Sequence, residues 1–377
     1  MVIGLLGLGT VGGGVYEMLT ARTDLRVKYV CCLEQPMLPV GKLTRDFGEI
    51  LSDPEVDAVV EVMGGLHPAK ELVFQALRAG KHVVTANKKL LAECYSELLA
   101  AAAEQGVALR CTAAVGGGIP WLNALERVKR ADVIREFSGI MNGTTNYILD
   151  LMQTSSVSFD DALSQAQALG YAERDPSADI DGEDTQNKLV VSVNIAFDAC
   201  IGKSDILVRG IRGVSAEDVE TFRRHGLCCR FIASAIREQG VISAVVQPTL
   251  VRQNDMAAAV HSNYNLITCV SRHAGKQSFY GQGAGRYPTA YNVVVDLLDV
   301  QAGKRGFYSA QCLPATVDNS ALCCRFYVRA GKPHPWLQAH TESVWESGVV
   351  TAPVPVQELH AWAAAHPDAC LFFAALR

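Results

Sequence analysis

The sequence predicts an α/β protein whose first part is a doubly wound parallel sheet. An apolar run over 2–6 passes through Gly7, Gly9 and Gly12, in G-x-G-x-x-G order, into a helical pattern of Val15, Met18 and Leu19. Strand-like and helix-like stretches then alternate as far as about residue 120. The strand-like stretches end in glycine or polar residues, the arrangement in which ligands sit beyond the strand C-termini.

The chain has 377 residues, 49% of them hydrophobic. That is enough for a large core divided into two or three domains. A net charge of −5 with no basic cluster speaks against a nucleic-acid partner. The longest apolar runs are broken by Gly, Pro or charge before they could span a membrane. The first residues enter a strand-like run with no charged leader, so a cytoplasmic chain is expected. Twelve cysteines fit this expectation. Three pairs are adjacent (Cys31-Cys32, Cys228-Cys229, Cys323-Cys324), no C-x-x-C occurs, and buried thiols in a reducing compartment are the simplest account.

The glycine turn has a specific mechanism. Gly7 allows the tight turn, Gly9 lets the backbone approach a pyrophosphate, and Gly12 lets helix pack closely on strand. Thr10 and Val11 open the helix whose N-terminus faces the phosphates. A second strand over 25–33 leads to Glu34, placed to accept a ribose 2′-hydroxyl and so favour NAD; Lys42 and Arg45 lie further on, within reach of a 2′-phosphate. VDAVVEVMGG (56–65) is a buried strand that ends at Gly64, and AKELVFQALRAG (69–80) is an amphipathic helix. KHVVTANKKLL (81–91) is a strand delivering Thr85, Asn87 and Lys88, and a helix over 92–105 leads to VALRCTAAVGGGIP (107–120).

AERDPSADIDGEDTQNKLV (172–190) then holds six carboxylates within thirteen residues. It is no EF-hand, because Ser177 and Lys188 stand where that loop needs Asp and Glu. Asp184 and Lys188 are four apart and share one face of a helix that continues through Leu189, Val190, Val193 and Phe197. Acids ahead of it suit a helix N-terminus. The plainer alternative is a solvated pair worth about 0.3–0.5 kcal/mol. NGTTN (142–146) reads as a polar loop entering a helix, with Thr144 free to donate to a substrate carboxylate or the loop serving only as an N-cap.

These pieces, in this order, resemble homoserine dehydrogenases. The matching segments include GLGTVG (7–12), HVVTANK (82–88), VGGGIP (115–120), GIMNGTTNYIL (139–149), the acidic segment through Lys188, FYGQGAG (279–285) and PTA (288–290). The resemblance implies a Rossmann-type domain over 1–135 completed by a helix over 288–303, an α+β substrate and dimerisation domain over 136–287, and a small C-terminal module over 304–377. It implies interconversion of L-homoserine and L-aspartate 4-semialdehyde with NADP or NAD, in a monofunctional chain that forms a homodimer or higher homo-oligomer. Lys188 would be the acid/base, with Lys88 between cofactor and substrate oxygen. Glu173, Asp179 and Asp184 would hold the substrate ammonium, and Gly283 would let a late loop close over the nicotinamide.

Two departures stand out. The family carries a Glu ahead of the glycines that helps backbone carbonyls hold a sodium ion. Thr112 occupies that position here, leaving the carbonyls of Val115, Gly117 and Ile119 as the ligands on offer. The tail resembles an ACT module, a threonine-sensing fold, but shortened by one unit and with AGKPHP in place of the usual D-x-P-G turn. A packed cap without effector is the other reading of it. The rival functions are an acylating semialdehyde dehydrogenase with Cys111 or Cys94 as nucleophile, and a dinucleotide-binding regulator without catalysis.

Overall fold

A computed structural model describes residues 1–32, 41–306, 313–367 and 371–377. The chain divides into two units, the first comprising 1–133, 190–202 and 281–314, the second 134–189, 203–280 and 315–377.

The first unit runs β1 (Val2–Leu6), α1 (Thr10–Thr20), β2 (Arg26–Cys31), β3 (Lys42–Thr44), α2 (Phe47–Ser52), β4 (Ala58–Glu61), α3 (Ala69–Arg78), β5 (His82–Thr85), α4 (Lys88–Gln105), β6 (Leu109–Arg110) and α5 (Trp121–Lys129). Its strands lie in the order β3-β2-β1-β4-β5-β6, and every pair is parallel. This is the doubly wound order, in which the chain reverses direction across the sheet between β1 and β4. Parallel strands covered on both faces read as unbroken apolar runs, and Ala58, Val59 and Val60 are each fully buried.

The glycine motif takes the form its spacing requires. Gly7 has φ +92°, and its N–H donates to Cys31 O at 2.9 Å, tying the turn to β2. A Cβ on Gly12 would lie 2.2 Å from Gly7 O, so only glycine lets α1 start so close to β1.

The chain continues with β7 (Ile134–Ile140), α6 (Gly143–Ser155), α7 (Phe159–Ala168), α8 (Ser177–Ile180), α9 (Glu183–Phe197), β8 (Leu207–Val208), α10 (Ala216–Arg224), β9 (Leu227–Glu238), β10 (Val241–Arg252), β11 (Tyr264–Ser271) and β12 (Gly275–Gln282). After α11 (Arg286–Gln301) come β13 (Thr316–Val317), β14 (Cys323–Arg329), α12 (Pro335–His340), β15 (Thr341–Val344), β16 (Val349–Thr351), β17 (Val354–Pro355), α13 (Val356–Ala365) and β18 (Phe372–Leu376). Helix α11 belongs to the first unit. Its Ala290, Val293, Leu297 and Val300 share a core with Ile3, Leu5, Val15 and Leu19.

The second unit is built on a mixed sheet, ordered β12-β11-β7-β9-β10-β18-β14-β16-β15 along its main path. Its last four strands with α12 and α13 form a β-α-β-β-α-β unit in which β18-β14, β14-β16 and β16-β15 are antiparallel. That is the split β-α-β arrangement, and it corrects the expectation of a tail short by one unit. The apolar run at the C-terminus is the missing strand. Phe372, Phe373 and Ala374 are fully buried because β18 sits between β14 and β10, pairing with β10 in parallel.

The close approach at Gly12 gives a first prediction. Gly12→Ala forces backbone to move in the middle of the β1–α1 packing, and overpacking of this kind costs about 1–3 kcal/mol. A denaturant titration is expected to show that loss. An unchanged midpoint would show that the turn tolerates a methyl group.

Candidate active site

In the first unit, the ends of β1 and β4 flank the reversal of strand order and present two open glycines. A Cβ added at Gly9 or at Gly64 meets nothing within 4 Å, unlike one at Gly12. Helix α1 begins at Gly9 with no side-chain cap and no acid in its first turn, so its N-terminal N–H groups remain for an anion. Thr10 is exposed and Val11 half-buried at that end. The donor set fits a dinucleotide pyrophosphate. Glu34, the expected ribose partner, lies outside the described residues.

A buried carboxylate that sequence reasoning passed over organises the next strand ends. Glu61 is fully buried and accepts from Met63 N at 2.9 Å, Gly64 N at 3.3 Å and the Thr85 hydroxyl at 2.6 Å. Asn87 Nδ2 donates to Gly65 O at 2.6 Å, while Asn87 Oδ1 caps α4 by accepting from Leu90 N at 3.1 Å. Thr85, delivered at a strand end where a cofactor would sit, is fully buried and its hydroxyl donates to Glu61, so it shapes the loop from beneath. Lys88 is the half-buried first residue of α4. A cation at the positive end of a helix costs about 0.3–1 kcal/mol, a placement that packing alone does not call for.

In the second unit, five of the six acids ahead of Lys188 separate by role. Asp175 accepts from Ser177 N and Oγ at the start of α8. Asp181 is paired with Arg212, whose Nη2 also donates to Ser177 Oγ at 2.8 Å. Gly182, at φ +98°, turns the chain into α9; a Cβ there would lie 2.7 Å from Val208 Cγ1. Glu173 is exposed, and the structure leaves it outside the network that gathers Asp179 and Asp184.

That network has Asn142 at its centre. Its Oδ1 caps α6 by accepting from Thr145 N at 2.8 Å, and its Nδ2 donates to Asp179 Oδ1 at 2.7 Å and to Asp184 Oδ2 at 2.9 Å. Lys188 Nζ donates to the same Asp184 Oδ2 at 2.7 Å and to Met141 O at 2.7 Å. The side chains of Lys188 and Asp184 are only 9% and 10% exposed, which removes the solvated-pair reading. The rest of NGTTN is structural. Gly143 approaches Asn263 O, Asn146 Nδ2 donates to Val260 O and Ser262 O, and the Thr144 hydroxyl donates to Tyr171 O at 2.6 Å. Thr144, expected to serve a substrate carboxylate, has therefore placed its proton within the fold. Asn142 could have been found in the sequence as the Asn preceding Gly143 at a helix start, but nothing there shows that its amide would reach two acids.

The thiols offered as nucleophiles are poor ones. Burial, with the Asp296 charge nearby, pushes the fully buried Cys111 thiol far up, and burial also raises Cys94.

Comparison with known proteins settles the lineage. A model of the homoserine dehydrogenase NAD-binding domain matches residues 7–112, and the homoserine dehydrogenase model matches 120–298. The homoserine dehydrogenase of Bacillus subtilis is 39% identical over 317 residues, covering 80% of this chain and 73% of its own. The chain belongs to the homoserine dehydrogenase family. That makes it an oxidoreductase with an NAD-binding domain. The Synechocystis enzyme is 40% identical over 79% of this chain and 72% of its own. The crystal structure of a homoserine dehydrogenase from Thiobacillus denitrificans superimposes with a TM-score of 0.91 at 32% identity, covering 100% of this chain and 98% of that one.

The acid pair carries a pH signature. Burial, and then the neighbouring Asp184 charge, hold the Asp179 carboxyl above its ordinary range, against the opposing pull of Asn142 and Lys188. The folded chain therefore keeps the Asp179 proton to higher pH than the unfolded chain does. This group's share of stability is present below about pH 4 and lost as pH rises through the raised value. Asp179→Asn removes that loss. The variant is expected to melt above the parent near about pH 8, with the gap closing toward about pH 4. A variant less stable than the parent at the alkaline end would reverse the sign assigned to Asp179.

Proposed function

We propose that this chain interconverts L-homoserine and L-aspartate 4-semialdehyde, with Lys188 as the acid/base. The observation that supports it is the buried chain of contacts from Met141 O through Lys188, Asp184 and Asn142 to Asp179, in a member of this family. The substrate carries an ammonium at one end and an alcohol or aldehyde at the other. Asp179 and Asp184 offer carboxylates to the ammonium, and Lys188 Nζ takes the proton from the alcohol or returns it to the aldehyde oxygen. Lys88 is assigned to the substrate oxygen. Glu173, exposed in the described structure, is assigned to the outer end of the ammonium site. The nicotinamide dinucleotide, NADP or NAD, supplies or accepts the hydride when bound. The Thr144 hydroxyl donates to Tyr171 O and so leaves a substrate carboxylate to other groups.

The same proposal includes a homodimer, on the family resemblance, and a reducing cytoplasm. None of the ten described cysteines is in a disulfide, and no helix among the described residues is long and apolar enough to cross a membrane. The raised thiols of Cys111 and Cys94 weigh against an acyl-enzyme route.

Removing Lys188 tests the assignment. Losing one member of a buried pair costs about 3–5 kcal/mol, so Lys188→Ala is to be compared at a temperature where dinucleotide binding confirms that it is folded. Oxidation of NADH and NADPH with aspartate semialdehyde is expected to fall by about 10²–10⁴ in kcat, with dinucleotide affinity retained. Near-parental turnover would take Lys188 out of the chemistry, and the better of the two coenzymes in the parent fixes the 2′-group preference.

A further inference from the structure

We propose that the side-chain amide of Asn292 does the work of a cation beneath the 115–119 turn, so that this chain positions its cofactor-side loop without an alkali-metal ion. The turn is tightly wound. Gly116 and Gly117 both have positive φ, at +89° and +55°, and Ile119 N donates to Gly116 O at 2.8 Å. This winding aims the carbonyls of Gly117 and Ile119 at one point, and Asn292 Nδ2 occupies it, donating at 2.5 Å and 3.2 Å respectively. Two converging carbonyl oxygens repel each other unless a cation or an N–H donor lies between them. Asn292 is 1% exposed, and its orientation follows from its partners, because an amide oxygen facing two carbonyls would add a third repelling acceptor. Its Oδ1 is buried without a hydrogen-bond partner among the described residues, a cost the fold accepts in order to deliver the NH₂ end.

The surrounding charges fit a neutral donor and do not fit a metal ion. Carboxylates among the oxygen ligands strengthen the hold on a hard cation, and Thr112 brings none. Its hydroxyl and backbone N–H instead donate to Asp296, at 2.7 Å each. Asp296 is fully buried and also takes Arg110 Nε at 3.0 Å, while Arg110 Nη2 reaches Asp299 at 2.7 Å. The carboxylate that Thr112 meets is thus committed to a guanidinium, which would itself oppose a cation.

The turn so held supports the loop that leads into α11. Gly118 N donates to Gln282 O at 3.0 Å, and Gly117 lies against Gly283, where an added Cβ would come within 2.5 Å of the Gly283 carbonyl carbon. Asn292 is therefore a positioning residue for the segment around Gly283, acting through the turn it clamps.

The test uses dinucleotide binding, followed by NADPH fluorescence, and melting temperature. Neither depends on the substrate or acid/base assignments. Parent, Asn292→Ala and Asn292→Asp are compared in sodium, potassium and choline chloride at matched ionic strength. The parent is expected to give the same affinity and melting temperature in all three. Asn292→Asp puts a carboxylate oxygen among the carbonyls and should bind NADPH about tenfold more weakly in choline than in sodium. Asn292→Ala, which leaves the carbonyls without a donor, should show the same salt preference more weakly. A parent that binds or melts several-fold or several degrees better in sodium than in choline would overturn the proposal. So would variants whose losses are identical in every salt. If either variant fails to fold in choline but folds in sodium, the outcome supports it.

Discussion

The buried ion pair of Lys188 and Asp184 sets the terms for the acid cluster of the second unit. Taking an ammonium and a carboxylate out of water costs several kcal/mol per ion, and a well-packed apolar pair would often serve stability better. Lys188 and Asp184 share that burial with further hydrogen-bond partners. Met141 O accepts from the ammonium, and the Asn142 amide donates to the same Asp184 Oδ2 that Lys188 holds. The arrangement demands three things of the fold. Strand β7 must end where Met141 O points at α9, α6 must begin on Asn142, and Gly182 must turn the chain so that Asp184 and Lys188 face inward. The cost of burying a second acid, Asp179, is visible in its raised carboxyl. A site that holds two carboxylates and one lysine in a confined space suits a ligand with one positive end.

The first unit solves a different problem with the same economy of groups. Its anion site needs little charge, because open glycines and the uncapped start of α1 supply backbone N–H groups. The buried Glu61 beside it stitches together the ends of β4 and β5 and the start of α4. Lys88 is presented from that same start. Asn292 extends the pattern, since a neutral amide within the core holds a turn that would otherwise need an ion.

Much of this was legible in the sequence, for identifiable reasons. G-x-G-x-x-G in a strand-to-helix context specifies a backbone shape that few other sequences satisfy, and the four-residue spacing of Asp184 and Lys188 fixes a common helix face. What was not legible depends on distant partners. Nothing in a row of six acids shows that Asp181 will meet Arg212, that Asp175 will hold Ser177, or that Glu173 will stay in solvent. Thr85 and Thr144 sit in motifs that invite a ligand, but their hydroxyls found acceptors in Glu61 and the Tyr171 carbonyl. Asn292 lies on a helix of ordinary appearance, 173 residues from the carbonyl of Ile119 that it holds. The tail looked incomplete because its fourth strand pairs with β10, more than a hundred residues earlier, and a short apolar run gives no sign of that.

The most direct measurement is a crystal structure of the chain with L-homoserine and a dinucleotide analogue that cannot accept hydride. The central claim requires the substrate hydroxyl about 2.6–3.2 Å from Lys188 Nζ, with its amino group against the Asp179 and Asp184 carboxylates. A hydroxyl bound away from Lys188, or an amino group left in solvent, would contradict it.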